Sequence, residues 1–498
     1  MLIELVLIEQ IKTWGGHKIS TIIKNILRAI AYTLLGSVLG AVIFYIQLME
    51  NRPDLFPWHT IKLQQEFTVE RAAEISTFTD YLAMEDRLFD ELQQKIYKSH
   101  NDLNKDRLIR YQSGSLADPT SYPVNWNRSF ELKQASPSAG ILLLHGLSDS
   151  PYSLRSLANA LHDKGYYVLG LRMPGHGTIP SGLVHSSWQD MAMAVQLAAR
   201  HVRQQTGENT DLHIIGYSMG AAQAVNYALD AMADESLPRA KSIILISPAI
   251  GVSAAAALAI WQSRLSAIPG MEKLAWNSIG PEYDPYKYNS FAVNAGDLMY
   301  RLTLTISSKL DQLEEAGRTD EFPKIQTFLS AVDATVSIAA VRDHLLDRVS
   351  NKGNEAVLFD INRTSYIIPF LKNNEQDKMQ VFMDEPDPAF RKTLLTNESP
   401  ESLKIIEKTR ETDNSLQISS HAMQWPAEIY SLSHVALPFP VTDPLYGAEP
   451  DGKGLHIGLV SPRGEVGILS VPARNLLRLR YNPFYPYLEQ RVLSFLSE

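Results

Sequence analysis

From residue 139 onward, short apolar runs alternate with longer segments whose apolar positions recur every three to four residues. The runs Gly140–Leu144, Tyr167–Leu171, Leu212–Gly216, Ser242–Ile246, Ile325–Val332 and Ala356–Asp360 carry almost no charge, which predicts strands buried on both faces. Between them, Ser153–Lys164, Ser187–Thr206, Ser218–Ala233 and Ser337–Ser350 keep helical spacing and contain no proline. Strand–helix alternation of this kind predicts an α/β fold, a mainly parallel sheet with helices on both faces. Arg128–Leu132 predicts one more short strand ahead of it.

Two stretches break the alternation. Residues 251–321 are helical and aromatic-rich and lie between two predicted strands, as a cap would. Residues 364–425 are polar and irregular, an insertion to which the pattern assigns no fold. Upstream, Ala72, Ile75, Phe78, Leu82, Phe89, Leu92 and Ile96 predict one amphipathic helix over Thr68–Ser99, packed on the following domain. A coil-rich stretch with Gly114, Pro119 and Pro123 follows it.

The N-terminus differs in character. Ala29–Leu48 is a run of 20 residues without a charge, about 30 Å as a helix and enough to cross a bilayer. Lys12, Lys18, Lys24 and Arg28 precede it, and Glu50, Arg52 and Asp54 follow. The positive-inside rule then predicts a single-pass anchor with a cytoplasmic N-terminus, the remainder being exported, to the periplasmic side in a Gram-negative cell. No A-x-A motif ends the run, which argues against a cleaved signal peptide. Met1–Ile11 is cut by Glu4 and Glu9 and predicts at most an interfacial helix. The expected organisation is a cytoplasmic segment (1–28), an anchor (29–48), a linker with the amphipathic helix (49–138) and the main α/β domain (139–498).

Composition narrows the function. The net charge of −9 and the lack of a long basic run argue against a nucleic-acid binder. With no cysteine, disulfides, a cysteine nucleophile and thiolate metal sites are excluded. No clustered histidines and carboxylates indicate a metal, and no cofactor is expected.

The candidate chemistry lies at Gly216-Tyr-Ser-Met-Gly220, between a predicted strand and a predicted helix. A Ser in a G-x-S-x-G turn at such a junction is held with its hydroxyl exposed, beside the positive end of the new helix. Gly140–Leu144 runs into His145-Gly-Leu-Ser-Asp149, a turn whose Leu147 N–H, with that of Met219, would form a two-donor oxyanion hole. His145 reads as a structural residue of that turn. His176, in Pro174-Gly-His-Gly177, reads as shaping a loop beside the pocket, and Trp188 and Asp190 as packing and capping residues near Ser187. Trp261, Trp276, Tyr283, Tyr286, Tyr288 and Phe291 read as the core of the cap.

Leu143–Pro151 (LLHGLSDSP), Leu171–Gly177 (LRMPGHG), Ser187–Asp190 (SWQD) and the GYSMG pentapeptide follow one another in order. Together they resemble the α/β-hydrolase-fold serine hydrolases, in the branch of monoglyceride lipases, carboxylesterases and serine aminopeptidases. The likeness is good over about 139–348 and weaker beyond. It implies a Ser, Asp, His triad in that chain order and no cofactor. Ser218 would be the nucleophile. Asp333, after the apolar strand that follows the cap, would be the acid, with Asp360 and Asp343 in reserve. Of thirteen histidines only His344, His421, His434 and His456 follow Asp333. His434, in Ser433-His-Val435, matches the base of the family best, with His421 in reserve. About 100 residues separate Asp333 from His434, where the family commonly has roughly 30, and the 364–425 insertion would account for the excess.

The expected function is a membrane-anchored serine hydrolase acting on lipid-like or acyl esters. Two rival readings are an exported peptidase or amidase, with Glu272, Glu282 and Asp284 holding an α-amine, and an inactive hydrolase-fold scaffold.

Overall fold

The computed structural model describes residues 24–37, 39–40, 43–45, 47, 51–98, 108–251, 266, 268–333, 336–351, 353–371, 375–385, 389–449, 454–458, 460–461 and 477–498. The chain divides into two units, Met1–Asp54 and Leu55–Glu498. In the first, residues 24–37 are helical, and Ile26, Leu27, Ile30, Leu34, Leu35, Leu39, Ile43 and Phe44 are exposed. Among the described residues no helix is long and apolar enough to cross a membrane. The expected 29–48 span is therefore not shown; residues 38, 41–42, 46 and 48 of it lie outside the described residues.

The second unit is built on a ten-stranded sheet. In chain order its strands are β1 (Phe130–Leu132), β2 (Gly140–Leu144), β3 (Tyr167–Leu171), β4 (Leu212–Tyr217) and β5 (Ser242–Ile246). After the short pair β6 (Trp276–Ser278) and β7 (Phe291–Ala292) come β8 (Lys324–Ser330), β9 (Glu355–Phe359), β10 (Arg391–Asn397), β11 (Lys404–Arg410) and β12 (Leu416–Gln424). Their spatial order is β1-β3-β2-β4-β5-β8-β9-β10-β11-β12. The seven strands from β3 to β10 pair in parallel, and β1, β11 and β12 are antiparallel additions at the two edges. β2, β3 and β5 are buried at every position, as their unbroken apolar sequence predicts for strands covered on both faces.

Helices α1 (Phe78–Leu92), α2 (Arg155–Asp163), α3 (Trp188–Thr206), α4 (Met219–Ala233), α5 (Val293–Glu315), α6 (Ile338–His344), α7 (Glu375–Asp384) and α8 (Tyr485–Ser497) surround the sheet. One apolar cluster joins α1, α3, α4 and α5 to one sheet face. A second joins α2 and α8 to the other. Local chemistry sets the boundaries. Ser187 accepts from the Asp190 amide (3.2 Å) while the Asp190 carboxylate accepts from the Ser187 amide (2.8 Å), a capping box that starts α3. The expected Thr68–Ser99 helix is shorter, because Thr77 and Asp80 form the same reciprocal cap and start α1 there, leaving Ile75 in the preceding loop.

Two expectations change. The 251–321 stretch is not one helical cap: its described part holds the β6–β7 pair and then α5, which packs on α4. The 364–425 stretch is not irregular. It carries α7 and three strands; β10 continues the parallel sheet beside β9, and β11 and β12 fold back as a meander. Its polarity misled the pattern because β12 is an edge strand exposed along most of its length and gains its order from ladder hydrogen bonds, which leave no hydrophobic period.

Candidate active site

Ser218 stands between β4 and α4 with φ +53°, in the left-handed region that costs a non-glycine residue about 1–2 kcal/mol. Contacts on both sides hold it there. Its amide donates to Ile246 O of β5 (2.9 Å), and its carbonyl accepts from the Ala249 amide (3.1 Å). Glycines make the turn possible. A Cβ on Gly216 would lie 2.4 Å from Ala221 Cα, and one on Gly220 would lie 2.1 Å from Leu144 O. The first turn of α4 is thus pressed against β2, and Ser218 remains partly exposed.

β2 and β4 are adjacent, Leu144 opposite Gly216, so the turn after β2 leaves the sheet beside the serine. A Cβ on Gly146 would lie 3.3 Å from Ser218 Cβ. Among the described residues the Leu147 amide makes no hydrogen bond, and the Met219 amide, at the first position of α4, has no intrahelical acceptor. His145 is buried and fully used by the backbone, its Nδ1 against Gly146 O (2.9 Å) and its Nε2 accepting from the Met173 amide (3.0 Å). Burial, reinforced by neighbouring His176, holds its pKa well below the usual range, so it stays neutral and ties the turn to the segment after β3. His176 is also buried, with Nδ1 on Pro174 O and a pKa lowered to about 4 by desolvation.

Asp333 follows β8, its side chain fully buried, with Oδ1 accepting from the Val336 amide (2.9 Å). His434 opens a short turn, His434–Ala436, with Nδ1 3.2 Å from Asp333 Oδ1 and 12% of its side chain exposed. Two features bring these residues together across the intervening chain. The Ser330 hydroxyl, at the end of β8, donates to Leu432 O. The Asn362 amide donates to Tyr430 O and its Nδ2 to Ile429 O, both at 2.7 Å. The chain therefore leaves just after β9, builds α7 and β10–β12, and returns to its point of departure. Excising 363–429 would restore the roughly 30-residue acid-to-base spacing of the family.

The reserve residues are engaged elsewhere. The Asp360 carboxylate is paired with Arg363 and accepts from Thr396 (2.7 Å). Asp343 is exposed and paired with Arg342, His344 is exposed on α6, and His421 on β12 faces Glu407 at 3.0 Å. Trp276, Tyr286 and Tyr288 are buried, and Tyr283 and Phe291 are half-buried. Trp261 lies outside the described residues. Among the described residues no group of histidines and carboxylates could hold a metal ion.

Residues 135–289 match the family described as Serine aminopeptidase, S33. A parallel sheet with a strained serine between β4 and α4, inside that match, decides the fold. The chain has an α/β-hydrolase fold.

A thermostable monoacylglycerol lipase of Bacillus sp. (strain H-257) is 30% identical to this chain over 118 residues, 24% of the chain and 44% of that relative. The match thus spans less than half the length of that curated relative. Similar solved structures include a Paleococcus ferrophilus monoacylglycerol lipase (17% identity, TM-score 0.35, 47% of this chain and 89% of that one). Another is a soluble variant of Saccharomyces cerevisiae monoglyceride lipase (12% identity, TM-score 0.36, 47% and 82%).

Sequence reasoning missed Ser330 and Asn362, which hold the His434 segment in place. No local signal marks either, because their partners lie 102 and 67 residues away.

Proposed function

We propose that the protein hydrolyses carboxylic esters through an acyl-enzyme, with Ser218 as nucleophile, His434 as base and Asp333 orienting the imidazole. The observation that carries this reading is the 3.2 Å approach of His434 to Asp333 on the sheet edge that also holds the strained serine. The Ser218 hydroxyl adds to the ester carbonyl as His434 takes its proton. The Leu147 and Met219 N–H groups stabilise the oxyanion, and His434 returns the proton to the departing alcohol. Water then repeats the cycle on the acyl-enzyme, and no cofactor takes part. The kinship with a monoacylglycerol lipase favours a lipid-like ester. An aminopeptidase needs a cluster of free carboxylates for the α-amine, but of the three named above only Glu272 is exposed: Glu282 is buried and accepts from the Asn289 and Ser290 amides, and buried Asp284 accepts from Tyr446.

We also propose that residues 29–48 anchor the enzyme in a bilayer, with the catalytic unit exported. Exposed Leu34, Leu35, Ile43 and Phe44 on the described helical residues support this.

The test is fluorophosphonate labelling of detergent-extracted protein. Wild type should label, while Ser218→Ala should not and His434→Ala should label at least about a hundredfold more slowly. A folded wild type that never labels refutes the enzyme reading. Deletion of residues 1–50 should move the protein from the membrane to the aqueous fraction; retention at the membrane refutes the anchor.

A further inference from the structure

A cavity of about 190 Å³ is lined in part by Asp284, Lys287, Asn289, Val435, Arg478 and Arg480. Val435 directly follows the proposed base. On the opposite wall, Lys287 and Asn289 flank Tyr288, whose amide donates to Ser148 O (2.8 Å) in the turn that carries Leu147. The cavity therefore adjoins both the imidazole segment and the oxyanion turn.

Its lining is rich in donors and poor in acceptors. Among the described residues, Lys287 and Arg480 form no ion pair. Arg480 Nε and Asn289 Nδ2 are buried without an acceptor. Arg478 adds a third cation two residues from Arg480, the spacing that places both on one side of an extended chain. The one carboxylate, Asp284, is turned to structural use: it accepts from the Tyr286 amide (3.0 Å), the Lys287 amide (3.1 Å) and the Tyr446 hydroxyl. Burial raises its pKa. Buried donors without acceptors cost about 1–3 kcal/mol each, and an anion with several oxygens would satisfy them together.

We propose that this cavity binds an anionic phosphate group on the alcohol side of the ester, so that the preferred substrate is an acylated glycerol phosphate rather than a neutral acylglycerol. The proposal rests on the ester-hydrolase reading above and specifies its substrate class. Attack by Ser218 breaks the acyl–oxygen bond, His434 protonates the departing oxygen, and the phosphate-bearing alcohol leaves intact, so the anion is held but not cleaved.

The test uses the full chain in detergent and two esters with the same acyl chain, 1-acylglycerol 3-phosphate and 1-monoacylglycerol. Wild type should prefer the phosphorylated ester by at least about tenfold in kcat/KM, the worth of one charge-assisted hydrogen bond. Lys287→Gln and Arg480→Gln should each collapse that preference, so the proposal survives if one of them fails to fold. Equal rates on both esters, or variants that slow both alike, overturn the proposal while leaving the Ser218 mechanism standing. Fluorophosphonate labelling reports the serine alone. If it fails, calorimetric titration with glycerol 3-phosphate decides the cavity: binding lost in Arg480→Gln supports it, and no binding by wild type overturns it.

Discussion

The Asn362 side chain tests how the sheet extension places the proposed base, His434. It is buried, donates to Ile429 O (2.7 Å) and accepts from Asn397 Nδ2 (2.9 Å), closing the neck of the excursion five residues before His434. Asn362→Ala removes both bonds. The Ile429 carbonyl then has no side-chain donor, whereas Asn397 keeps its bond to Ser402 O (2.8 Å). Two hydrogen bonds lost, one of them leaving a half-buried acceptor without its side-chain donor, give an expected loss of about 2–4 kcal/mol, tolerable within the usual 5–15 kcal/mol of a folded domain. The backbone bond to Tyr430 and the Ser330–Leu432 contact survive, so the segment should loosen without detaching. A displacement of about 1 Å at a catalytic group costs roughly a hundredfold, and the fluorophosphonate labelling rate should fall about ten- to a hundredfold. Urea unfolding gives the stability change and labelling gives the rate. Ser415→Ala, at the exposed β11–β12 turn where the Ser415 hydroxyl donates to Asp413, should alter neither. Asn362→Asp should destabilise at least as much, since it sets a carboxylate oxygen against Ile429 O. If Asn362→Ala loses stability as expected yet labels at the wild-type rate, the neck does not position His434.

Two further outcomes follow from the same geometry. Gly220→Ala places a Cβ 2.1 Å from Leu144 O, a backbone atom that cannot turn aside; α4 must move by about 1 Å, and labelling should drop about a hundredfold or more. A Gly220→Ala variant with wild-type labelling refutes the need for that close approach. His59, His176 and His213 are buried, and desolvation lowers the pKa of each to about 4. Their folded pKa values lie below the unfolded 6.5, so the stability they contribute is present above pH 6.5 and lost as pH falls towards 4, by up to about 1.4 kcal/mol per unit for each. Urea titrations across that window should show the loss, and His213→Gln should lessen its slope; a flat profile refutes the burial argument.

The sequence by itself determined the parallel core. Strands buried on both faces must be apolar throughout, so β2, β3 and β5 could be read to the residue. The serine turn was equally legible, because a strand–turn–helix that brings backbone within 2.1 Å of a Cβ position admits only glycine there. Capping at Ser187 was legible too, since its partner lies three residues on. The tertiary structure alone decided the rest. The strands of 364–425 are ordered by pairing with β9 and with one another, and an exposed edge strand carries no hydrophobic period to announce it. Motif and chain order pointed to Asp333 and His434, but their 3.2 Å approach depends on a neck formed by partners 67 residues apart. The cationic cavity draws on residues near 287, 435 and 480, which become neighbours only when the sheet is complete. Local sequence encodes what neighbouring residues along the chain can satisfy among themselves; a site assembled from distant segments is specified only by the packing that closes them.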